Sequence, residues 1–194
     1  MSTQLVEAWK AEADLVAEET KWGEPGWSSW NRYSPEWEVC EAIAALVRLI
    51  RPSWVIETGV GQGYTTRRIA VAKPPDARLQ CFESDDELRP VLARLPFFGG
   101  DPTIQLDVRP TPGPEDFAHA EFVVLDSNFD YRVDELDTWW EHAPRRSFAF
   151  VHDVSSRHPE FANHHKMRRH IQQLGIPGTF FPNPRGAFLG QKPK

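Results

Sequence analysis

The sequence predicts an α/β protein with a doubly wound, mostly parallel sheet. Short apolar runs alternate with helical patterns along the chain, and the first run ends in a glycine-rich loop followed at once by a helix. Such alternation gives right-handed crossovers, which place helices on both faces of the sheet. We expect strands near 54–58, 79–83, 103–106, 121–126 and 147–152, and helices near 64–72, 85–94, 131–142 and 160–173.

Two helical patterns precede the first strand. Residues 3–18 place apolar side chains on one stripe of a helix, and a loop rich in Trp, Gly and Pro follows. Ser34 is expected to cap a second helix that has Pro35 at its first position and ends near Ile50. Farther along, Pro90 lies inside the second crossover helix and should kink or shorten it.

Composition and charge limit the classes of protein. A chain of 194 residues suits one domain, and its two cysteines, Cys40 and Cys81, fall in apolar patterns typical of a reduced core. There is no signal-peptide pattern and no apolar run near the ~20 residues of a membrane span, so we expect a soluble, cytoplasmic protein without a membrane partner. The net charge of −6 disfavours a dedicated nucleic-acid binder, although residues from 145 onward carry nine Lys or Arg against two acids.

The glycine-rich loop carries the most specific signal. A buried-strand pattern ends in an acid, and three glycines follow at alternate positions: Glu57, Gly59, Gly61 and Gly63. Glycines let bare backbone approach a ligand, because a Cβ would block the approach. A dinucleotide fingerprint needs Gly or Ala where this chain has Tyr64, and the acid Glu83 at the tip of the second strand can take both hydroxyls of a ribose. The loop therefore predicts a nucleoside ligand without a pyrophosphate.

Motif I of the class I S-adenosylmethionine (SAM)-dependent methyltransferases resembles residues 57–66, Glu-Thr-Gly-Val-Gly-Gln-Gly-Tyr-Thr-Thr. Within that superfamily the chain is most similar to the small-molecule O-methyltransferases, including the catechol-type and antibiotic-tailoring branches. The resemblance covers residues 34–190, with further matching pieces at 123–128 and 150–154.

The resemblance implies a Rossmann-like sheet in which two short strands near 178–181 and 186–190 form a closing antiparallel hairpin. It also implies a single methyltransferase domain over residues 1–194. Within that domain, residues 1–50 are expected to form an N-terminal helical lid, and residues 51–194 a cofactor-binding core.

The implied cofactor is SAM, and the resemblance assigns residues to it. Glycine amides and the helix start at Tyr64 would cradle the carboxylate of the cofactor, and Glu57 would orient its amino group through water. Residues after the third strand commonly touch the adenine in this family, which points to Asp107 or Val108. The full implied cofactor-binding set is Glu57, Gly59, Gly61, Gly63, Tyr64, Glu83, Asp107 and Asp126.

Asp126 and Asp153 each follow an apolar run, so both are expected at the carboxyl ends of adjacent strands, where ligands bind in open α/β sheets. In the metal-dependent members of the resembled family, these two acids and a further Asn or Asp hold a divalent cation. This chain has Val154 at the further position, and His152 precedes Asp153.

Two chemistries therefore stay open for Asp126, His152 and Asp153. They could hold Mg²⁺ or a softer ion, or form a metal-free catalytic set in which His152 or Asp153 deprotonates the acceptor hydroxyl. We prefer the metal-free alternative and assign no metal ligand. Asp126 has a third interpretation as the cap of the helix expected at 131, since Ser127 and Asn128 also suit a turn.

Four histidines in the C-terminal part are interpreted as surface residues rather than metal ligands: His158, His164, His165 and His170. Of these, only His158 is expected close enough to Asp153 to enter the site. Four tryptophans precede the sheet, and they form either a lid over the acceptor or part of the core or a dimer interface: Trp22, Trp27, Trp30 and Trp37.

The predicted function is methyl transfer from SAM to a small-molecule acceptor, through a hydroxyl oxygen, and the aromatic leading segment is compatible with a homodimer. Two alternatives stay open. One is a nicotinamide-dependent Rossmann oxidoreductase, which Tyr64 in the last fingerprint position disfavours. The other is a non-catalytic SAM-binding module.

Overall fold

The structure is a computed structural model that describes residue 29 and residues 34–109, 111–157 and 161–194. In this part of the chain seven strands form one sheet: β1 (Trp54–Thr58), β2 (Arg78–Phe82), β3 (Ile104–Asp107), β4 (Phe122–Leu125), β5 (Phe148–His152), β6 (Gly178–Phe181) and β7 (Ala187–Gln191). The helices found there are α1 (Trp37–Ile50), α2 (Tyr64–Ala72), α3 (Arg89–Leu92), α4 (Pro96–Gly100), α5 (Pro114–Phe117), α6 (Phe129–His142) and α7 (Ala162–Leu174).

The strand order β3-β2-β1-β4-β5-β7-β6 confirms the predicted doubly wound sheet. Strands β1 to β5 are parallel, and β7 runs antiparallel to both β5 and β6 as the expected closing hairpin. The chain moves outward from β1 to β3 and then returns to β4 on the other side of β1. The order therefore reverses between β1 and β4, which opens a crevice at their carboxyl ends.

Both faces of the sheet are covered, as alternating side chains along β1 illustrate. Val55 belongs to one apolar cluster, together with Ile43 of α1 and Ile69 of α2. Its neighbour Ile56 belongs to the opposite cluster, in which α6 contributes Trp139 and α7 contributes residues such as Met167. Parallel strands covered on both sides are apolar throughout, which explains why the sequence reveals them so clearly.

Cys40 and Cys81 are both fully buried and unpaired, in α1 and β2 respectively. Burial raises the pKa of both thiols above their usual range. Among the described residues, no helix is both long and apolar enough to cross a bilayer.

The prediction that Ser34 caps the first described helix is wrong. Helix α1 begins at Trp37, Glu36 occupies the N-cap position, and no side chain caps the helix there. Pro35 accordingly lies outside the helix. The backbone carbonyl of Glu36 accepts the first bonds of the helix, whereas its carboxylate bonds to partners across the fold, which the local sequence pattern does not reveal.

Pro90 has the predicted effect, because the helical pattern between β2 and β3 breaks into the short helices α3 and α4. The interpretation of Asp126 as a helix cap is wrong: Asn128 caps α6, and its side chain accepts from the backbone nitrogen of Asp130 at 3.3 Å. The predicted helix at 3–18 lies outside the described residues, as do His158 and three of the four leading tryptophans: Trp22, Trp27 and Trp30.

Candidate functional site

A cavity of about 380 Å³ lies at the carboxyl ends of β1, β2 and β4, where the strand order reverses. Its wall contains five residues that the sequence singled out: Gly59, Gly61, Tyr64, Glu83 and Asp126. Ser34 and Pro35, which precede α1, also line it. The site predicted from the glycine loop and the acid ending β2 is therefore one connected cavity.

The glycines have distinct local roles. Gly59 has φ +75°, and a Cβ there would lie 2.3 Å from the carbonyl oxygen of Asp126, so the loop after β1 packs directly on the end of β4. A Cβ at Gly63, also with positive φ, would lie 2.8 Å from Leu95. Gly63 does not line the cavity, and it supports the loop by close packing instead.

Glu83 connects the loop after β1 to the end of β2. One carboxylate oxygen of Glu83 accepts from the backbone nitrogen of Gly61 at 2.8 Å, and the other accepts from that of Asp85 at 3.0 Å. The acid is buried, yet it lies on the cavity wall. Its carboxylate is thus fixed where a sugar hydroxyl of a bound nucleoside would reach it.

Two further members of the predicted cofactor set lie away from the cavity wall. Glu57 is buried behind the loop, where burial raises the pKa of its carboxyl to about 8, and Cys81 is 3.6 Å from one of its oxygens. Asp107 accepts from the side-chain amide of Gln80 at 2.7 Å. The roles assigned to Glu57 and Asp107 toward a cofactor stay predictions.

Asp126 presents different environments to its two carboxylate oxygens. Oδ1 lies 3.1 Å from Nδ1 of His152 and 3.2 Å from Nη2 of Arg132. Within the described part of the chain, Oδ2 has no hydrogen-bond partner. The side chain is 11% exposed and lies on the cavity wall, so one oxygen is held by the protein while the other is open to a ligand.

His152 is buried between carboxylates. Its Nε2 lies 2.7 Å from Oε2 of Glu36, and its Nδ1 lies 3.1 Å from Asp126 and 3.4 Å from Asp153. Burial opposes the charged imidazole, but the carboxylates of Asp153, Asp126 and Glu36 together raise the pKa of His152 to about 10. The carboxylates around the ring therefore favour its charged form at neutral pH.

Asp153 is held by guanidinium groups. Nε of Arg185 lies 2.7 Å from Oδ1, Nη2 of Arg185 donates to Oδ2 at 2.9 Å, and Nη1 of Arg132 donates to Oδ2 at 3.3 Å. Burial raises the pKa of this carboxyl, but His152 and the two arginines outweigh it and hold the pKa well below its usual range. Asp153 is thus an ionised, buried carboxylate that lies off the cavity wall.

The histidines of α7 depart in one case from the predicted surface location. His164 is buried, with its Nε2 3.8 Å from Asp153, so the expectation that only His158 approaches that acid is wrong. Burial lowers the pKa of His164 to about 4, which leaves it neutral. His170 is half-buried and pairs with Asp137 of α6 at 2.6 Å.

The donor set does not fit a divalent cation. Ligand atoms of Asp126, His152 and Asp153 lie within 4.8 Å of one another, the one such group among the described residues. In this arrangement Nε2 of His152 lies 2.7 Å from Glu36 and Nδ1 lies 3.1 Å from Asp126, so the ring is already paired with carboxylates. The carboxylate of Asp153 already faces two guanidinium groups. Side-chain cations thus supply the positive charge here.

Sequence reasoning missed three residues of this cluster: Glu36, Arg132 and Arg185. Glu36 and Arg132 fall within predicted helices and Arg185 lies between the two predicted C-terminal strands, and none of the three was given a role. All three are buried. The available signal was chemical, because two buried acids at adjacent strand ends need counter-charges, and a search for them among basic residues near those strands would have included these arginines.

No family model matches the sequence, and no curated protein matches it significantly. Solved structures do match. The O-methyltransferase TomG from Streptomyces achromogenes, involved in tomaymycin synthesis and solved in complex with SAM, is 18% identical over 100% of this chain and 91% of its own, with a TM-score of 0.68. The chain shares its fold.

Two more solved structures agree. The SAH-bound methyltransferase PaMTH1 of Podospora anserina has a TM-score of 0.69 at 13% identity, over 100% of this chain and 89% of its own. The Bacillus cereus O-methyltransferase, in complex with SAH, has a TM-score of 0.67 at 11% identity, over 99% of this chain and 91% of its own. These similarities confirm the Rossmann-like methyltransferase fold, and at these identities they establish the fold alone.

Proposed function

We propose that this chain is a SAM-dependent methyltransferase that methylates a hydroxyl oxygen of a small molecule. The observation that carries the proposal is the cavity at the reversal between β1 and β4. The glycine loop and Glu83 lie on one side of it, and the open oxygen of Asp126 lies on the other. The cofactors bound to TomG and the Bacillus cereus enzyme support SAM as the ligand here.

The cavity suits a ligand of nucleoside size. Its volume of about 380 Å³ falls in the range of small-molecule pockets. The start of α2 at Tyr64 would receive the carboxylate of the cofactor's amino acid, since helix N-termini favour anions. Gly59 and Gly61 would line the cavity without donating to it, because their amide nitrogens already donate to Phe82 and Glu83. Glu83 would accept from the ribose hydroxyls while it keeps its bond to Gly61.

Asp126 has the position of the acceptor-binding acid. SAM supplies a methyl group on a sulfonium sulfur, for in-line attack by an oxygen. Oδ2 of Asp126 would accept the hydrogen bond of the acceptor hydroxyl and take up its proton when that oxygen receives the methyl group, with SAH as the leaving group. We assign positioning roles to His152 and Asp153, because their polar atoms contact protein groups and not the cavity.

We also propose a cytoplasmic location, a small-molecule rather than a nucleic-acid substrate, and a homodimer. The acidic balance of the chain, −6 overall, supports the exclusion of nucleic acid. Size-exclusion chromatography with light scattering tests the dimer, and a monomer at micromolar concentration would remove that part of the proposal.

Calorimetric titration with SAH, SAM and NAD⁺ tests the cofactor. We expect heat with SAH and SAM and none with NAD⁺. Glu83→Gln should weaken SAH binding about 10- to 100-fold, since hydrogen bonds to charged groups contribute about 1.5–3 kcal/mol. The exposed Glu87, four residues along the chain, provides the matched control Glu87→Gln, which should bind SAH normally. Binding of NAD⁺ in preference to SAH would favour the oxidoreductase alternative.

Transfer of a labelled methyl group to a panel of phenols and hydroxy acids tests the catalytic part. Asp126→Asn should retain SAH affinity and lose most of the turnover, because the amide cannot accept the hydroxyl proton. If the protein binds SAH but transfers no methyl group to any panel member or to any hydroxyl compound in a cell extract, it is instead the non-catalytic SAM-binding module.

A further inference from the structure

Glu36 is a fully buried acid whose side chain makes no capping hydrogen bond in its own helix. It stands at the N-cap position of α1. Its Oε1 accepts from the side chain of Asn183 at 3.1 Å and from the backbone nitrogen of Arg185 at 3.0 Å, and its Oε2 receives His152 Nε2 at 2.7 Å. These three partners of its carboxylate are all more than a hundred residues away along the chain.

The contacts of Glu36 continue through His152 to the cavity. The imidazole ring lies between two carboxylates, with Nε2 2.7 Å from Glu36 and Nδ1 3.1 Å from Asp126 Oδ1, so the three side chains form a carboxylate–imidazole–carboxylate relay. Only Asp126 of the three lies on the cavity wall. The relay therefore joins a residue outside the cavity to the acid at its surface.

The same residue fixes a second part of the wall. Arg185 donates from Nη1 to the carbonyl oxygen of Ser34 at 2.7 Å, while its backbone nitrogen donates to Glu36. Ser34 and Pro35 line the same cavity as Asp126. Segment 34–36, the end of β5 and the turn before β7 are thus held together by one buried carboxylate.

We propose that Glu36 is a positioning residue of this site: through His152 it fixes the Asp126 carboxylate on the cavity wall, and through Arg185 and Asn183 it fixes the segment at Ser34 and Pro35. This inference rests on the proposed function, in which Asp126 binds the acceptor. It adds a residue from the leading segment to a site otherwise built from strand ends.

Charge balance explains why the position requires an acid. Three carboxylates, of which Glu36 and Asp153 are buried and Asp126 lies on the cavity wall, face His152, Arg132 and Arg185, and the nearby His164 is neutral. Removal of the Glu36 charge leaves a net positive cluster and frees Nε2 of His152. The ring then shifts toward the remaining carboxylates, and the Asp126 oxygen turns away from the cavity.

The test compares Glu36→Gln with the control Glu38→Gln on the first turn of the same helix. We expect Glu36→Gln to lower kcat about 100-fold, as expected for a misplaced reactive group, with SAH affinity unchanged within about twofold. Glu38→Gln should change neither. Thermal unfolding shows whether Glu36→Gln is still folded. If it is not, Glu36→Asp, which keeps the charge on a shorter side chain, should restore folding and part of the turnover.

A double-mutant cycle distinguishes positioning from a merely structural role. If Glu36 acts through Asp126, Glu36→Gln should lower turnover far less in an Asp126→Asn background than in the native protein. Equal losses in both backgrounds, or an unchanged kcat in Glu36→Gln, would overturn the proposal.

Nitrogen-15 NMR of the His152 ring tests the relay without any turnover. The native ring should show two protonated nitrogens at neutral pH, and Glu36→Gln should alter Nε2 while Asp126→Asn alters Nδ1. Absence of methyl transfer in the native protein would count against the proposed function alone. A His152 spectrum insensitive to Glu36→Gln would overturn the relay whatever the activity.

Discussion

At the scale of single residues, the two aspartates at the ends of β4 and β5 have opposite surroundings. Asp126 keeps one oxygen open to the cavity, whereas both oxygens of Asp153 face cations. Asp153 also has a left-handed backbone with φ +61°, a conformation that a non-glycine residue adopts at a cost of about 1 kcal/mol or more. Its role is to hold Arg132 and Arg185 in place.

Asp153→Asn should lower the free energy of unfolding by about 3–5 kcal/mol, because two buried guanidinium groups lose their counter-charge. Urea unfolding measures the loss. The matched control is Asp137→Asn, which removes an acid half-exposed beside His170 and should cost less than about 1 kcal/mol. Similar losses in the two variants would contradict the assigned role of Asp153.

At the scale of elements, the loop after β1 and the end of β4 pack as a unit. Gly59 lies against the Asp126 backbone, and Thr58 and Ser127 both donate to Oε2 of Glu135 on α6, at 2.9 and 2.7 Å. Glu135 therefore joins the two strand ends that border the cavity.

Gly59→Ala and Gly61→Ala separate backbone conformation from packing. Both glycines have positive φ, which costs an alanine about 1–2 kcal/mol. A Cβ at Gly59 also overlaps the Asp126 carbonyl, whereas one at Gly61 has no atom within 4 Å. Gly59→Ala should therefore be less stable than Gly61→Ala by about 2 kcal/mol and lose more SAH affinity. Equal stabilities in chemical denaturation would be inconsistent with the close packing.

The buried carboxyl of Glu135 should make the free energy of unfolding depend on pH. Its burial outweighs the hydrogen bonds from Ser127 and Thr58 and raises its pKa to about 7, from an ordinary value of 4.5. The folded protein thus retains a proton at Glu135 that the unfolded chain releases, so the contribution of this group to the free energy of unfolding falls as pH rises from about 4.5 to about 7 and is constant above that. Glu135→Gln should remove this decline, on the order of 3 kcal/mol. Urea unfolding of both proteins across that range measures it, and parallel curves would refute it.

The alternation of elements and the glycine loop were predictable because they depend on local patterns. Apolar strands covered on both faces and glycines with positive φ leave signatures within a few residues. The charge cluster was not predictable in the same way. Glu36 finds His152 116 residues away, and a sequence pattern contains no information on which distant charges will be buried together. The misplaced Ser34 cap has the same origin.

At the scale of the whole molecule, net charge inside the site is balanced by side chains rather than by an ion. We expect EDTA to leave methyl transfer unchanged within about twofold, and Mg²⁺ or Mn²⁺ to leave the melting temperature unchanged, since both nitrogens of His152 and both oxygens of Asp153 are engaged. Activity that disappears with EDTA and returns with one of these ions would overturn the interpretation of the donor set.

The two buried thiols can report local opening of the fold. Cys40 lies on the buried face of α1 and Cys81 within β2, and neither is accessible to an alkylating reagent while the surrounding layers stay packed. Each alkylation event therefore marks a moment at which that region has opened. Mass spectrometry of the two labelled peptides would then give the alkylation rate of each cysteine. The rate at Cys40 measures opening of the helical layer, and the rate at Cys81 measures opening of the sheet, without any engineered probe.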